Sequence, residues 1–73
     1  MKMRIHGCHE LSVRKDPSNP NPIDDTIETV KKEDILDVNT DLFVLDWHGH
    51  KYYMVKTPNG KAGYAIASGL RPI

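Results

Sequence analysis

Turn-forming residues divide this chain into short segments. Proline alternates with Ser or Asn over residues 17–22, where three fixed φ angles and three missing N–H donors exclude a helix or a central strand. Asn59-Gly60 is the dipeptide that most strongly favours a tight hairpin, because a type I′ turn needs positive φ at both central residues. Turns that recur about every 8 to 12 residues, between about five short strands, predict an all-β barrel or sandwich.

Between the turns, the residue pattern favours strands. Residues 10–14 alternate polar and apolar side chains, which is the period of a half-buried strand. Residues 26–30 are β-branched at four of five positions, and the charged residues 31–34 after them predict a tight turn. A helix over residues 24–38 is the alternative, but the β-branched content argues against it. The other predicted strands are residues 35–38, 42–47, 52–56 and 62–66.

Two predictions concern the last third of the chain. Gly63 lies inside a predicted strand, where glycine indicates a bend or a close approach of two backbones. Residues 67–70 predict a short helical turn before residues 71–73.

Residues 39–51 form a predicted hairpin that is more apolar than a solvated loop needs to be. The run of residues 42–47 ends at His48-Gly49-His50, the predicted tip. If the hairpin projects from the domain, it exposes Phe43 and Trp47 and offers a surface to a partner. If it folds back, it enlarges a thin core. The sequence leaves both alternatives open.

Length and composition limit the function classes. A chain of 73 residues has room for one domain, residues 1–73, and at this size only ~60% of the unfolded surface is buried. The single cysteine, Cys8, cannot form an internal disulfide. A catalytic cleft would compete with the core for volume, so we predict no enzymatic activity, no catalytic residues and no cofactor. No apolar run approaches ~18 residues and no signal-peptide pattern follows Met1, which predicts a cytoplasmic protein without membrane contact.

The net charge of zero conceals an uneven distribution. Residues 24–46 carry eight acidic side chains against two lysines, whereas residues 47–73 carry four basic side chains and no acid. Residues 1–23 are also basic on balance. This pattern predicts either separate charged surfaces for partners or strands that lie side by side and neutralise each other, and the second interpretation is favoured.

Two groups of possible metal ligands occur in the chain. His6, Cys8 and His9 lie near the start, and His48 and His50 lie about 40 residues later at the hairpin tip. Zinc accepts such ligands, but the spacing fits no familiar finger, so we predict no metal site and leave open whether the two groups converge. Cys8 and His9 are adjacent, and neighbouring strand residues point to opposite faces, so they form no catalytic dyad.

The order of several short motifs resembles the bacterial Src-homology-3-like (SH3-like) domain. That family reads L-N-V-R-x-G-P-S, a K-K-G-D turn, W-Y-x-V, N-G-x-x-G-W-V and a closing leucine. The resemblance covers about residues 10–70 and implies a strongly bent five-stranded SH3-like barrel, here with an extended hairpin at about 39–51. The matching segments are residues 11–18, 27–34, 52–55 and 59–64, with Leu70 at the end. Asp16 and Glu33 replace family glycines, and Tyr52 and Tyr64 replace family tryptophans.

The resemblance also implies a function and a binding face. Family members act as recognition modules, often for cell-wall peptide or glycan. By resemblance, Tyr53 packs inward while Tyr52 and Tyr64 take the positions of the groove aromatics; with Trp47 and Pro20 of the proline loop they form the predicted ligand face. The predicted core is Leu11, Val13, Ile27, Val30, Leu36, Val38, Tyr53, Val55, Ile66 and Leu70.

We therefore predict a non-enzymatic protein-protein interaction module, in a small phage-type or intracellular bacterial protein. Cell-wall peptide or glycan recognition is the first alternative. Single-stranded nucleic-acid binding by aromatic rings beside cationic side chains is the second, and the zero net charge argues against it. Self-association through the 39–51 hairpin would be a further use of its apolar surface.

Overall fold

The computed structural model describes residues 1–17 and 25–73, and this part of the chain is all-β. Seven strands form one antiparallel sheet in the order β3-β2-β6-β5-β4-β1-β7. The all-β prediction is confirmed. The strands are β1 (Lys2–Ile5), β2 (Glu10–Arg14), β3 (Thr26–Lys31), β4 (Ile35–Leu45), β5 (Lys51–Lys56), β6 (Ala62–Ile66) and β7 (Leu70–Pro72), with a 3-10 turn at Ala67–Gly69.

The structure has more strands than the sequence predicts because β1 and β7 were not predicted. β1 alternates outward cations with buried Met3 and Ile5, yet it is only four residues long. β7 is shorter still and contains Pro72. The two strands pair with each other, and β1 also pairs with β4. Strands this short carry too little sequence pattern to be predicted, and only their pairing in the sheet identifies them.

The core lies where the strand periodicity placed it, with additions from β1. Seven of the predicted core side chains are buried, and Tyr53 and Ile66 pack partly buried against them, while Ile27 is half-buried. Met3, Ile5 and Ala65 were not predicted as core residues. The buried core cluster is Met3, Ile5, Leu11, Val13, Val30, Leu36, Val38, Val55, Ala65 and Leu70.

The predicted close approach at Gly63 is confirmed. A Cβ atom at this position would lie 2.6 Å from Cγ1 of Val13 and 2.9 Å from the carbonyl oxygen of Arg14. β2 pairs with β6 here, with Arg14 opposite Tyr64. Glycine therefore permits the strand contact that joins the β2–β3 hairpin to the rest of the sheet.

The turn at Asn59-Gly60 is a hairpin turn, but the predicted type I′ geometry is wrong. Gly60 has φ of 83°, whereas no residue other than glycine has positive φ in the described part of the chain. The N–H of Gly60 donates to the Thr57 carbonyl oxygen at 2.9 Å, which places Pro58 and Asn59 at the centre of the turn. Proline fixes a negative φ at the first central position, so the turn forms one residue earlier than the dipeptide suggests.

The β4–β5 hairpin closes with the same backbone pattern. Asp46 N–H donates to the His50 carbonyl oxygen at 3.0 Å, and Gly49 N–H donates to the Asp46 carbonyl oxygen at 3.0 Å. Gly49 has φ of 84°. A turn followed by a glycine of positive φ matches the right-handed twist of the flanking strands.

Acidic β4 lies between two strands that supply cations, as the favoured charge interpretation predicted. The Asp37 carboxylate is 2.8 Å from Lys2 Nζ on β1, and Asp37 lies opposite Lys56 on β5. The hydrogen bond from Lys2 lowers the pKa of Asp37, and burial opposes this shift only in part. Neighbouring strands thus neutralise part of the acidic segment.

A second ion pair joins β2 to the residue that precedes β3. Nε of Arg14 lies 3.2 Å from the Asp25 carboxylate, and the two side chains are only 13% and 5% exposed. The Asp25 carboxylate also accepts a hydrogen bond from the backbone N–H of Asp16 at 3.1 Å. This pair links the end of β2 to the residue before β3.

Within residues 1–17 and 25–73, no helix has the length and apolar character needed to cross a membrane.

Candidate partner-binding surface

The β4–β5 hairpin exposes its apolar side chains to solvent. Trp47 is 71% exposed, Leu45 54%, and Leu42 and Phe43 each 48%. The alternative in which this hairpin folds back to enlarge the core is wrong. We call these four residues, together with Lys51, the hairpin patch.

A break in the register between β4 and β5 determines which face of the sheet Phe43 and Leu45 occupy. Asn39 lies opposite Met54, but Phe43 lies opposite Tyr53, so three extra residues are inserted in β4. The side-chain oxygen of Asn39 accepts a hydrogen bond from Asp41 N–H at 3.0 Å and stabilises the insertion. An odd insertion reverses the alternation of side chains between the two faces. Phe43 and Leu45 therefore share the face of Tyr53.

Lys51 lies directly over this aromatic surface. Its ammonium group is 4.6 Å from the centroid of the Phe43 ring and 5.9 Å from the centroid of the Tyr53 ring. Attraction between a cation and the face of an aromatic ring holds the Phe43 side chain against β5. The hairpin patch thus combines exposed apolar area with one positive charge.

Asp46 fixes the tip of the hairpin. One carboxylate oxygen accepts hydrogen bonds from the N–H groups of His48 at 2.9 Å and His50 at 2.8 Å, and the other lies 3.3 Å from Nδ1 of His50. Burial raises the pKa of Asp46, but the backbone N–H groups of His50 and His48 outweigh it, so the net pKa is lowered. The carboxylate stays charged and holds the turn closed.

Trp47 follows Asp46 and occupies the ordered tip. Its ring packs on the His48 ring with centroids 3.8 Å apart. A side chain presented from a turn that is already ordered loses little conformational freedom when a partner binds. The arrangement therefore suits Trp47 as an anchor.

A shallow groove lies next to the hairpin patch. It has a volume of about 310 Å³ and runs between the hairpin tip, at Gly49 and His50, and the 3-10 turn, at Ala67 and Ser68. Lys51 lines the same groove. A partner that contacts the patch can therefore extend a side chain into a neighbouring concavity.

The predicted ligand-face residues are not all exposed together. Trp47 is exposed at the tip and Tyr64 is half-buried on β6, but Tyr52 is only 9% exposed. Tyr53, predicted to be the inner tyrosine, is half-buried and packs against the core cluster. Pro20 lies outside the described residues.

Tyr52 lies in the interior of the sheet. It is opposite Val44 on β4 and opposite Ile66 on β6, so it has strand neighbours on both sides. β4 reaches Val44 only because the hairpin extends as far as Leu45. The hairpin that carries Phe43 and Trp47 therefore also supplies one of the two cross-strand neighbours of Tyr52.

Sequence reasoning identified Phe43 and Trp47 as side chains that a projecting hairpin exposes, but it did not identify the role of Lys51. Lys51 contacts Phe43 only because of the three-residue insertion. The sequence separates the predicted strands 35–38 and 42–47 at this point, but it does not show the strand register that results. Without the insertion, alternation along β4 would place Leu42 and Val44, and not Phe43 and Leu45, on the face of Tyr53.

The histidine and cysteine groups form no metal-binding arrangement in the part of the chain that the structure describes. Among those residues, no group of three or more His, Cys, Asp or Glu side chains is arranged to hold a metal ion. Cys8 is exposed and unbonded to another cysteine.

No protein-family model matches the chain, and no curated protein or solved structure is significantly similar to it.

Proposed function

We propose that this chain is a non-enzymatic binding module that docks a protein partner on the hairpin patch. The observation that carries the proposal is the exposure of four large apolar side chains on one hairpin, Leu42, Phe43, Leu45 and Trp47. Large apolar side chains left exposed together on one hairpin of a small domain indicate an interaction site. Tryptophan is also among the residues that most often dominate binding energy at interfaces.

The backbone beside the patch offers a second means of contact. β1 covers β4 only as far as Val38, and beyond it no strand in residues 1–17 and 25–73 pairs with that side of β4. An extended partner segment can add to such an edge through main-chain hydrogen bonds. Apolar side chains of the partner then contact Phe43 and Leu45, and an acidic side chain contacts Lys51.

We also propose that the sheet is a variant of the SH3-like barrel. The motif order described above supports this proposal: the L-S-V-R segment falls on β2, the charged turn precedes β4, the Y-Y-M-V segment falls on β5, and Leu70 begins β7. The proposal implies that the hairpin patch lies in the connection between the fourth and fifth strands, counting β1 as the first. Cell-wall peptide or glycan remains the alternative ligand that the same resemblance suggests.

Single-stranded nucleic acid is less well supported as a ligand. Its binding to small barrels relies on exposed rings that stack on bases. Tyr52, one of the two tyrosines expected to stack, is buried, and Tyr64 is half-buried. Among the predicted aromatic positions, Trp47 alone is largely exposed.

Site-specific photo-crosslinking tests the proposed function. A photoreactive amino acid at the exposed position His48, next to Trp47, should capture a discrete protein in cells that express the chain. Leu45→Ala should abolish capture, whereas Ile73→Ala should not, because Ile73 is equally exposed at 72% but lies outside the hairpin patch. Equal capture by both variants would overturn the proposal. A chain that crosslinks only to itself and sediments as a dimer would instead assign the patch to a second copy.

A further inference from the structure

The fold brings the two basic ends of the chain together. β1 comes from the basic segment of residues 1–23, and β7 comes from residues 47–73, which hold four basic side chains and no acid. The two strands are antiparallel neighbours, with Arg4 directly opposite Arg71. A chain with zero net charge therefore concentrates positive charge on one part of its sheet.

Arg4 and Arg71 both point outward on this sheet. Met3 and Ile5 are buried, so the alternation of β1 places Arg4 on the solvent side. Arg71 shares that side because directly opposite residues of antiparallel strands share a face. Both side chains are exposed, and neither makes a salt bridge to any other described residue.

Like charges at directly opposite positions destabilise a strand pair. Nearby carboxylates do not relieve the repulsion. Asp37, the acidic residue on the neighbouring part of β4, is already bound to Lys2 at 2.8 Å. Asp34 accepts a hydrogen bond from the backbone N–H of Lys31 at 2.9 Å and forms no salt bridge with either arginine. The two arginines thus form a pair of cations without a salt-bridge partner among the described residues.

Two further donors lie beside Arg4. Lys32 and His6 line a pocket of about 290 Å³ together with Arg4, Ile5 and Gly7. No carboxylate appears among these lining residues. Arg4 and Lys32 therefore line a concavity large enough for a compact anion, and Arg71 lies next to it, opposite Arg4 on β7.

We propose that Arg4 and Arg71, assisted by Lys32, bind a phosphate group. The planar guanidinium group presents a fork of N–H donors that matches phosphate oxygens, and two forks on adjacent strands can grip one tetrahedral anion. The ammonium group of Lys32 adds positive charge, and the imidazole of His6 adds a donor. The phosphate belongs to a soluble phosphomonoester or to a lipid headgroup with a terminal phosphate. This site does not depend on the function proposed for the hairpin patch.

Titration with inorganic phosphate tests the site, using sodium chloride of equal ionic strength as reference. Backbone amide NMR signals of Arg4, Lys32 and Arg71 should shift and saturate with phosphate. Arg4→Gln and Arg71→Gln should each weaken binding about tenfold. Lys61→Gln should bind phosphate like the wild type, because Lys61 is an exposed cation on the distant β5–β6 turn. Shifts no larger than those with chloride, or equal weakening in all three variants, would overturn the proposal.

Thermal unfolding separates this role from a structural one. Without phosphate, Arg4→Gln should unfold at a higher temperature than the wild type because the repulsion from Arg71 is removed. Phosphate should raise the unfolding temperature of the wild type and not that of the variant. A lower unfolding temperature for Arg4→Gln without phosphate would show that Arg4 stabilises the sheet, which contradicts the proposal.

Vesicles distinguish the two sources of phosphate. The chain should be mixed with phosphatidylcholine vesicles that do or do not contain phosphatidic acid. Sedimentation with phosphatidic acid, lost in Arg71→Gln, assigns the site to a lipid headgroup. Binding of soluble phosphate without sedimentation assigns it to a soluble phosphomonoester.

Discussion

The ammonium group of Lys51 lies 4.6 Å from the centre of the Phe43 ring, on the face that Phe43 shares with Tyr53. The two residues come from opposite strands of the hairpin, so their contact ties the end of β4 to the start of β5. The same contact adds a positive charge to an otherwise apolar surface. A partner that fits this surface combines an apolar contact with an acidic group.

A double-mutant cycle measures the Lys51–Phe43 contact. Lys51→Gln should lower the free energy of unfolding by about 0.5–1 kcal/mol, the range for an exposed cation–π contact. In the Phe43→Leu background the same change should have little effect, because the ring is gone. Urea unfolding of the four proteins gives the coupling. A full-sized effect of Lys51→Gln in that background would contradict the assigned contact.

Replacing Gly63 should strain the junction between β2 and β6. Gly63→Ala places a methyl group 2.6 Å from the Val13 side chain and 2.9 Å from the carbonyl oxygen of Arg14, and the backbone atom cannot move away alone. We expect a loss of about 1–3 kcal/mol in the free energy of unfolding.

Gly60→Ala provides a control for that experiment. No atom lies within 4 Å of the added methyl group there, so its cost arises only from positive φ. Gly60→Asn should recover part of that cost, since asparagine tolerates this region. Gly63→Asn should be worse than Gly63→Ala because the side chain is larger. If both glycines respond alike to the two substitutions, crowding at Gly63 is not the cause.

Removing the carboxylate of Asp25 should leave the nearly buried Arg14 guanidinium without this ion-pair partner. For pairs of such low exposure, loss of one member costs about 3–5 kcal/mol. Asp25→Leu should therefore strongly lower the urea midpoint, and Arg14→Met added to it should restore much of the loss. Failure of the second change to restore stability would show that Asp25 acts mainly through the Asp16 N–H.

Acid should loosen the hairpin tip through Asp46. The folded state lowers the pKa of Asp46 below the unfolded value of 3.8, so the charged carboxylate contributes stability above that value. The contribution is lost as the pH falls through the lowered folded pKa. The wild type should therefore lose stability between about pH 5 and pH 2 more steeply than Asp46→Asn does.

Fluorescence of Trp47 reports locally on the same event. The emission of the wild type should change in the acid range before global unfolding, because the turn that orders Trp47 depends on the Asp46 carboxylate. In Asp46→Asn the emission should already differ at neutral pH and change little on acidification. Identical profiles for the two proteins would refute the role of Asp46.

Features that depend on neighbouring residues could be predicted from the sequence. The alternation of β2 placed Leu11 and Val13 in the core, and Gly63 indicated a close approach, because period and glycine are local signals. The apolar run before Trp47 likewise located the extended hairpin. These predictions needed no knowledge of which strand pairs with which.

Features that depend on strand pairing could not be predicted. The three-residue insertion in β4 reverses which side chains share a face with Tyr53, and a break between the predicted strands 35–38 and 42–47 does not show this register. Tyr52 has cross-strand neighbours on β4 and β6 that its own sequence position does not show. Arg4 and Arg71 are 67 positions apart in number, and only the sheet shows that they are opposite each other.

The pairing of β1 with β7 also has a kinetic consequence. A strand pair formed by the first and last segments has a high loop-closure cost, since almost the whole chain must be ordered between them. The β4–β5 and β5–β6 hairpins close locally and can form first. During synthesis, Met3 and Ile5 leave the ribosome early yet gain their last strand partner only after Leu70 has emerged. We therefore expect β1 and β7 to dock late, as the step that completes the core.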